Sequence, residues 1–106
     1  MARTAQADSA FDIAGSAGRY RLAGVAGYAN ARRVLEDGRR RFGAEASVEV
    51  DLGGLTALDS AGLAVLIAWL GEARAQGRTL VYHDLPAALV ATARVAGVEE
   101  LVGVPG

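Results

Sequence analysis

Between Val48 and Gly77 the hydrophobic pattern changes its period once, and that change limits the folds open to the chain. Val48, Val50 and Leu52 alternate with Glu49 and Asp51, the two-residue period of a strand with one buried face. Gly53-Gly54 then lets the chain turn, and 55–58 reads as a short extended piece. After Asp59-Ser60 the spacing predicts a long helix over 61–76, the strongest in the chain, closed by Gly77 at the C′ position.

The other segments carry the same alternation. Residues 11–17 and 19–25 read as two strands joined in a hairpin at Gly18, with Tyr20, Leu22 and Gly24 on one side of the second. An amphipathic helix is predicted over 30–42, with Ala31, Val34, Leu35, Gly38 and Phe42 on its apolar face. Arg33/Asp37 and Glu36/Arg40 are opposite charges four apart on the other face, worth about a few tenths of a kcal/mol each. Gly38 costs about 1 kcal/mol against Ala inside a helix, which close packing against a sheet would explain. Leu80 and Tyr82 alternate with Val81 and His83 in a further strand. Pro86 suits the first position of a helix over 86–96 that Gly97 stops, and Val98, Leu101 and Val102 form a short apolar cap.

The order is strand, strand, helix, strand, helix, strand, helix. Such alternation calls for the α/β class, a mixed β-sheet backed by α-helices with right-handed crossovers between parallel neighbours. At 106 residues and 52% hydrophobic content there is material for one core and one domain. Residues 1–10 read as a disordered leader, 11–102 as the domain and 103–106 as a flexible tail.

Composition excludes several function classes. With no cysteine there is no disulfide scaffold, thiol chemistry or thiolate metal site. The net charge of −1 attracts neither nucleic acid nor an anionic membrane. All eleven basic residues are arginine, and those between 32 and 41 are interleaved with Glu36 and Asp37, as on a solvated helix face. The longest apolar run, 63–70, is far short of the roughly 20 residues that span a bilayer. The first ten residues lack the apolar stretch of a signal peptide. The expectation is a cytoplasmic protein without direct membrane insertion. His83 is the single histidine, and Gly15, Gly18, Gly24 and Gly27 do not compose a phosphate loop. No catalytic set, metal site or cofactor is expected.

One segment stands apart, Asp51-Leu-Gly-Gly-Leu-Thr-Ala-Leu-Asp-Ser-Ala-Gly-Leu63. It carries a strand through a loop and places Ser60 where the long helix begins. Ser60 is a good N-cap residue type. A hydroxyl there also faces the positive end of the helix dipole, where it can take a phosphate or make a hydrogen bond that a partner reads. On the following helix Leu63, Leu66, Ile67 and Leu70 cluster on one face, while Val65 and Trp69 project roughly opposite with Gly62 nearby. Two readings of Trp69 follow: it packs beneath a neighbouring helix, or it belongs to an exposed apolar patch one turn from Ser60, as partner interfaces often show.

Val50-Asp51-Leu52, then Asp59-Ser60-Ala61-Gly62-Leu63, then a helix ending at Gly77 resemble the signature of the STAS domain family. That family includes anti-sigma-factor antagonists, and its fold is a mixed sheet backed by helices. Within it the chain looks most like the small cytoplasmic STAS subunit of the bacterial Mla phospholipid ABC transporter, a system that maintains outer-membrane lipid asymmetry. Ala-Trp-Leu at 68–70, Arg-Ala-Gln-Gly at 74–77, Leu-Pro at 85–86 and the run 93–101 carry that narrower likeness. The resemblance implies a non-catalytic accessory subunit whose partner is the transporter's cytoplasmic ATPase. It gives Ser60 the hydroxyl position that sigma-regulating relatives phosphorylate, in the region that contacts the ATPase; taken with the helical geometry, the expected partner-binding residues are Asp59, Ser60, Ala61, Gly62, Val65 and Trp69. Ala61 stands where many relatives carry a second small hydroxyl or glycine, which removes one alternative phosphate acceptor. The alternative it leaves open is a phosphorylation-switched antagonist that binds an anti-sigma kinase.

Overall fold

The computed structural model describes residues 10–43 and 45–103. Most of the expected leader, residues 1–9, and the last three residues of the expected tail lie outside them. Strands β1 (Phe11–Ser16) and β2 (Arg19–Ala26) form an antiparallel hairpin. Its two-residue turn puts Ala17 at φ 55° and Gly18 at φ 83°, the paired positive angles of the hairpin turn whose twist matches the strands. Val25 N–H donates to the Ala10 carbonyl at 2.8 Å, so the pairing reaches one residue before β1.

Helix α1 (Ala31–Phe42) carries the chain to β3 (Ser47–Leu58), and α2 (Ser60–Ala75) carries it on to β4 (Thr79–His83). The strands lie in the order β1-β2-β3-β4, with β2/β3 and β3/β4 parallel. Helices α3 (Ala87–Ala96) and α4 (Glu99–Val102) complete the described chain. The mixed sheet backed by helices is the architecture expected from the alternation of periods.

Burial alternates along the strands, so the sheet has a covered and an open face. Tyr20, Leu22, Val48, Val50, Leu52, Leu80 and Tyr82 lie in the core. Between them Arg19, Arg21, Glu49, Thr79, Val81 and His83 stay exposed and Asp51 half-buried. On the open face Arg21 Nε lies 3.5 Å from Asp51 Oδ2, and His83 Nε2 lies 3.4 Å from Glu49 Oε1. Such solvated pairs contribute little to stability. On α1 Arg40 pairs with Asp37, three residues back, where sequence spacing pairs it with Glu36.

Three local expectations change. Gly53-Gly54 is not a turn, because β3 runs unbroken through it. The register against β2 slips between Arg21/Asp51 and Ala23/Gly54, and a Cβ on Gly54 would stand 2.5 Å from the Leu22 carbonyl oxygen. The glycines therefore serve a bulge where two backbones approach. Pro86 is the residue before α3 rather than its first helical one, with ψ 156°. Gly38 packs against an indole, not a sheet: a Cβ there would fall 2.2 Å from Trp69 Cζ2.

That last contact explains how α2 is seated. Gly62, Leu63, Val65, Leu66, Trp69 and Ala73 are buried, while Ser60, Ala64, Gly71, Arg74 and Ala75 leave one exposed stripe along the helix. Leu66 lies in the core beneath the sheet, and its carbonyl accepts from the Tyr82 hydroxyl at 2.6 Å. On the other side Trp69 lies under α1. Its Nε1–H donates to the Leu35 carbonyl at 3.1 Å, and its ring meets Phe42 edge-on at 5.0 Å. Near the surface Arg39 Nε lies 3.0 and 3.1 Å from the two Glu72 oxygens, tying α1 to α2.

Candidate functional site

β3 ends at Leu58, and the next residue organises the site. Asp59 keeps an extended backbone (φ −110°, ψ −171°) and is the N-cap of α2. Its Oδ1 accepts from the N–H groups of Ala61 (2.9 Å) and Gly62 (3.1 Å). Its Oδ2 accepts from Tyr28 N–H at 2.9 Å, across the sheet end. One carboxylate thus caps the helix and fastens the β2–α1 loop to it. The Tyr28 bond is the largest cause of a depressed pKa at Asp59, followed by the Gly62 bond, with burial opposing them. Hydrogen bonds to the charged form are the physical reason.

Ser60 is therefore not the cap. It is the first residue of α2, exposed, and no hydrogen bond holds its hydroxyl among the described residues. Ala61, beside it, is partly buried. Gly62 is needed for packing, since a Cβ there would stand 2.1 Å from the Ala26 carbonyl oxygen. The end of β2 and the first turn of α2 press together at that glycine. Val65 is buried and Trp69 is only 2% exposed, so the exposed patch expected from them does not form. Packing beneath a neighbouring helix is the reading of Trp69 that holds.

Other residues take the place of that patch. Ser60 shares a shallow groove of about 300 Å³ with Ala91, Thr92, Val95 and Ala96 of α3. Val95 is 92% exposed, while the Thr92 hydroxyl is turned back onto the Ala88 carbonyl at 2.9 Å. Tyr28 is 89% exposed, on the loop that Asp59 fastens. Asn30 holds the same loop from within: its Oδ1 accepts from Gly27 N–H at 2.9 Å and its Nδ2 donates to the Val25 carbonyl at 2.8 Å. A large aromatic side chain is thereby kept in solvent on a braced loop. Sequence reasoning missed both Tyr28 and Val95. The signal for Val95 was present, since at about 100° per residue it lies about 120° from Leu89 and about 160° from Ala93 on α3. Tyr28 lies outside any periodic segment and gave none.

Among the described residues no cluster of His, Asp and Glu could hold a metal ion, and no helix is long and apolar enough to cross a membrane. His83 lies on the open sheet face beside Glu49. What remains at the Ser60 end is an exposed hydroxyl at a capped helix start with apolar side chains around it. The fold and this site define a small α/β domain with an exposed hydroxyl at the start of its 16-residue helix.

The chain matches a family model described as "Mlab, STAS domain" over residues 9–103, and it belongs to the STAS domain family. It is an Mlab-like member of that family, whose domains are generally non-catalytic and act as accessory or regulatory units. Among curated proteins none matches. A solved structure titled "Crystal Structure Analysis of Mglu" is similar in fold, with 19% identity and a TM-score of 0.58. The likeness covers 77% of this chain and 21% of that one, so this chain spans about a fifth of its length.

Proposed function

We propose that the chain is a non-catalytic accessory subunit that docks, through the Ser60 surface, on the cytoplasmic ATPase of an Mla-type phospholipid transporter. The observation that carries this reading is the exposed Ser60 hydroxyl, with Val95 in solvent at its groove and Tyr28 in solvent on the loop that Asp59 fastens. Exposed aromatic and aliphatic side chains beside a hydrogen-bonding group are what partner interfaces use. The family match supports the same reading. Residence in the cytoplasm, at the membrane only through the transporter, follows from that partner.

The test is a direct titration against the ATPase subunit from the same source. Tyr28→Ala should weaken binding by about 2 kcal/mol. Ser60→Asp should weaken it further, because an unpaired charge in a close interface costs several kcal/mol. Both variants should keep the wild-type circular dichroism spectrum. Binding unchanged in both would sink the proposal, and capture of a kinase that phosphorylates Ser60 would replace the ATPase with the sigma-regulating alternative.

A further inference from the structure

The turn that carries Tyr28 is closed on itself. Asn30 N–H donates to the Gly27 carbonyl at 3.0 Å, and Asn30 Oδ1 accepts from Gly27 N–H at 2.9 Å. Residues 27–30 therefore form one closed unit, and its place against α2 is set from outside. Tyr28 N–H supplies a link, donating to Asp59 Oδ2 at 2.9 Å. Gly27 makes room for that link. Its backbone lies outside the left-handed region, so alanine could adopt it. A Cβ there would nevertheless stand 2.8 Å from Asp59 Oδ2 and 3.1 Å from Asp59 Cγ.

Position 59 needs a carboxylate and not merely a cap. Oδ1 accepts from Ala61 and Gly62, and Oδ2 from Tyr28, so three donors converge on two oxygens. Asparagine is as good an N-cap by type. It has one acceptor oxygen, however, and its amide nitrogen is a donor. With that oxygen on the helix, an amide N–H would be set against Tyr28 N–H. Asparagine thus keeps the cap and loses the loop.

We infer, resting on the docking reading above, that Asp59 and Gly27 are positioning residues, which fix Tyr28 against the start of α2 and act on partner binding only through it. A side chain on a loop already held in place binds without the cost of ordering that loop. Tyr28, 89% exposed on its closed turn, is the side chain so presented. Asp59, expected from the sequence to touch the partner, instead serves the residue that does.

Two measurements on the full chain test this. In Asp59→Asn the protection of Tyr28 N–H from hydrogen exchange should fall about tenfold, while the melting temperature stays close to that of wild type. Gly27→Ala should lower the same protection by pushing the carboxylate away. A residue that only caps α2 would leave Tyr28 unmoved in Asp59→Asn. In direct titration against the ATPase subunit, Asp59→Asn should weaken binding about tenfold, and in a Tyr28→Ala background it should weaken it no further. Unchanged protection of Tyr28 in both variants would overturn the inference. So would an equal loss of binding in the two backgrounds, which would make Asp59 a direct contact. If the wild-type chain does not bind the ATPase, the docking reading falls instead, and protection at Tyr28 alone decides whether Asp59 and Gly27 set the loop.

Discussion

The first turn of α2 and the turns behind it are built from the same kinds of residue and play opposite parts. At the start Ser60 is exposed and no described residue holds its hydroxyl, while Asp59 does the capping. One turn on, Val65 is buried, and Trp69 after it lies sealed between α1 and α2. The difference teaches that the docking surface proposed above does not take in the Val65–Trp69 side of the helix. It spreads sideways from the helix start, to Tyr28 through the Asp59 carboxylate and to Val95 across the groove with α3. The helix body is a structural wedge, and its first turn belongs to the surface.

The strongest way to break that contrast is Trp69→Ala. A wedge residue that fills the space under Gly38 and donates to Leu35 should cost about 3–5 kcal/mol when truncated, through lost burial and the cavity left behind. Against a total stability of roughly 5–15 kcal/mol, that is a large fraction. Urea denaturation reads it. A near-neutral result would mean that α1 does not rest on the indole and that the helix body is free to serve as surface.

Gly38→Ala probes the same contact from the other side, with a smaller effect. The added methyl collides with the indole, and overpacking costs about 1–3 kcal/mol, against which alanine's helix propensity returns about 1 kcal/mol. A net loss is expected. In a Trp69→Ala background the collision partner is gone, so Gly38→Ala should there become neutral or stabilising. Additive losses in the double-mutant cycle would show that the two positions do not meet.

These residues also show what the sequence could disclose. The period change at Asp59-Ser60 and the hairpin at Gly18 were legible, because local chemistry decides strand, helix and turn. The bulge at Gly53-Gly54 was not, since two glycines license a turn and a backbone approach equally. Val65 and Trp69 were misplaced because a helix apolar on every side has no preferred face. Only the crossing of α1 at Gly38 decides which turns are covered. Asp59 and Ser60 are both good caps by type, and only backbone angles show that Asp59 is the extended residue and Ser60 the first helical one.

Asp59 gives a prediction in pH. Its folded pKa is depressed below the ordinary carboxylate value, chiefly by the Tyr28 N–H bond. Its contribution is then present above the unfolded value and is lost as pH falls through the lower folded one. At neutral pH Asp59→Ala should cost about 1 kcal/mol, the usual loss for a removed cap. Asp59→Asn keeps an acceptor and should cost less. The gap between wild type and Asp59→Asn should shrink as the wild-type carboxylate is protonated below pH of about 4. Asp51 is also depressed, mainly by Gly53 N–H, so the variant rather than wild type alone is the proper reference. Faster hydrogen exchange at Tyr28 N–H in Asp59→Ala would show directly that the carboxylate braces the loop, and unchanged exchange would show that Asn30 holds it alone.

The smallest expected change in stability is at Ser60. Because Asp59 already satisfies the N–H groups of Ala61 and Gly62, removing the hydroxyl leaves no orphan donor. Surface substitutions of this kind lie within about 0.5 kcal/mol, and alanine is the better helix former. Ser60→Ala should therefore melt within a degree or two of wild type, the shift expected of about 0.3 kcal/mol in a domain this size. Ser60→Asp should also stay close, since attraction to the helix dipole opposes repulsion from the Asp59 carboxylate beside it. A loss of about 1 kcal/mol or more in Ser60→Ala would return the capping role to Ser60. The first turn would then be structural like the rest of α2, and the docking surface would have to be sought around Tyr28 and Val95 without it.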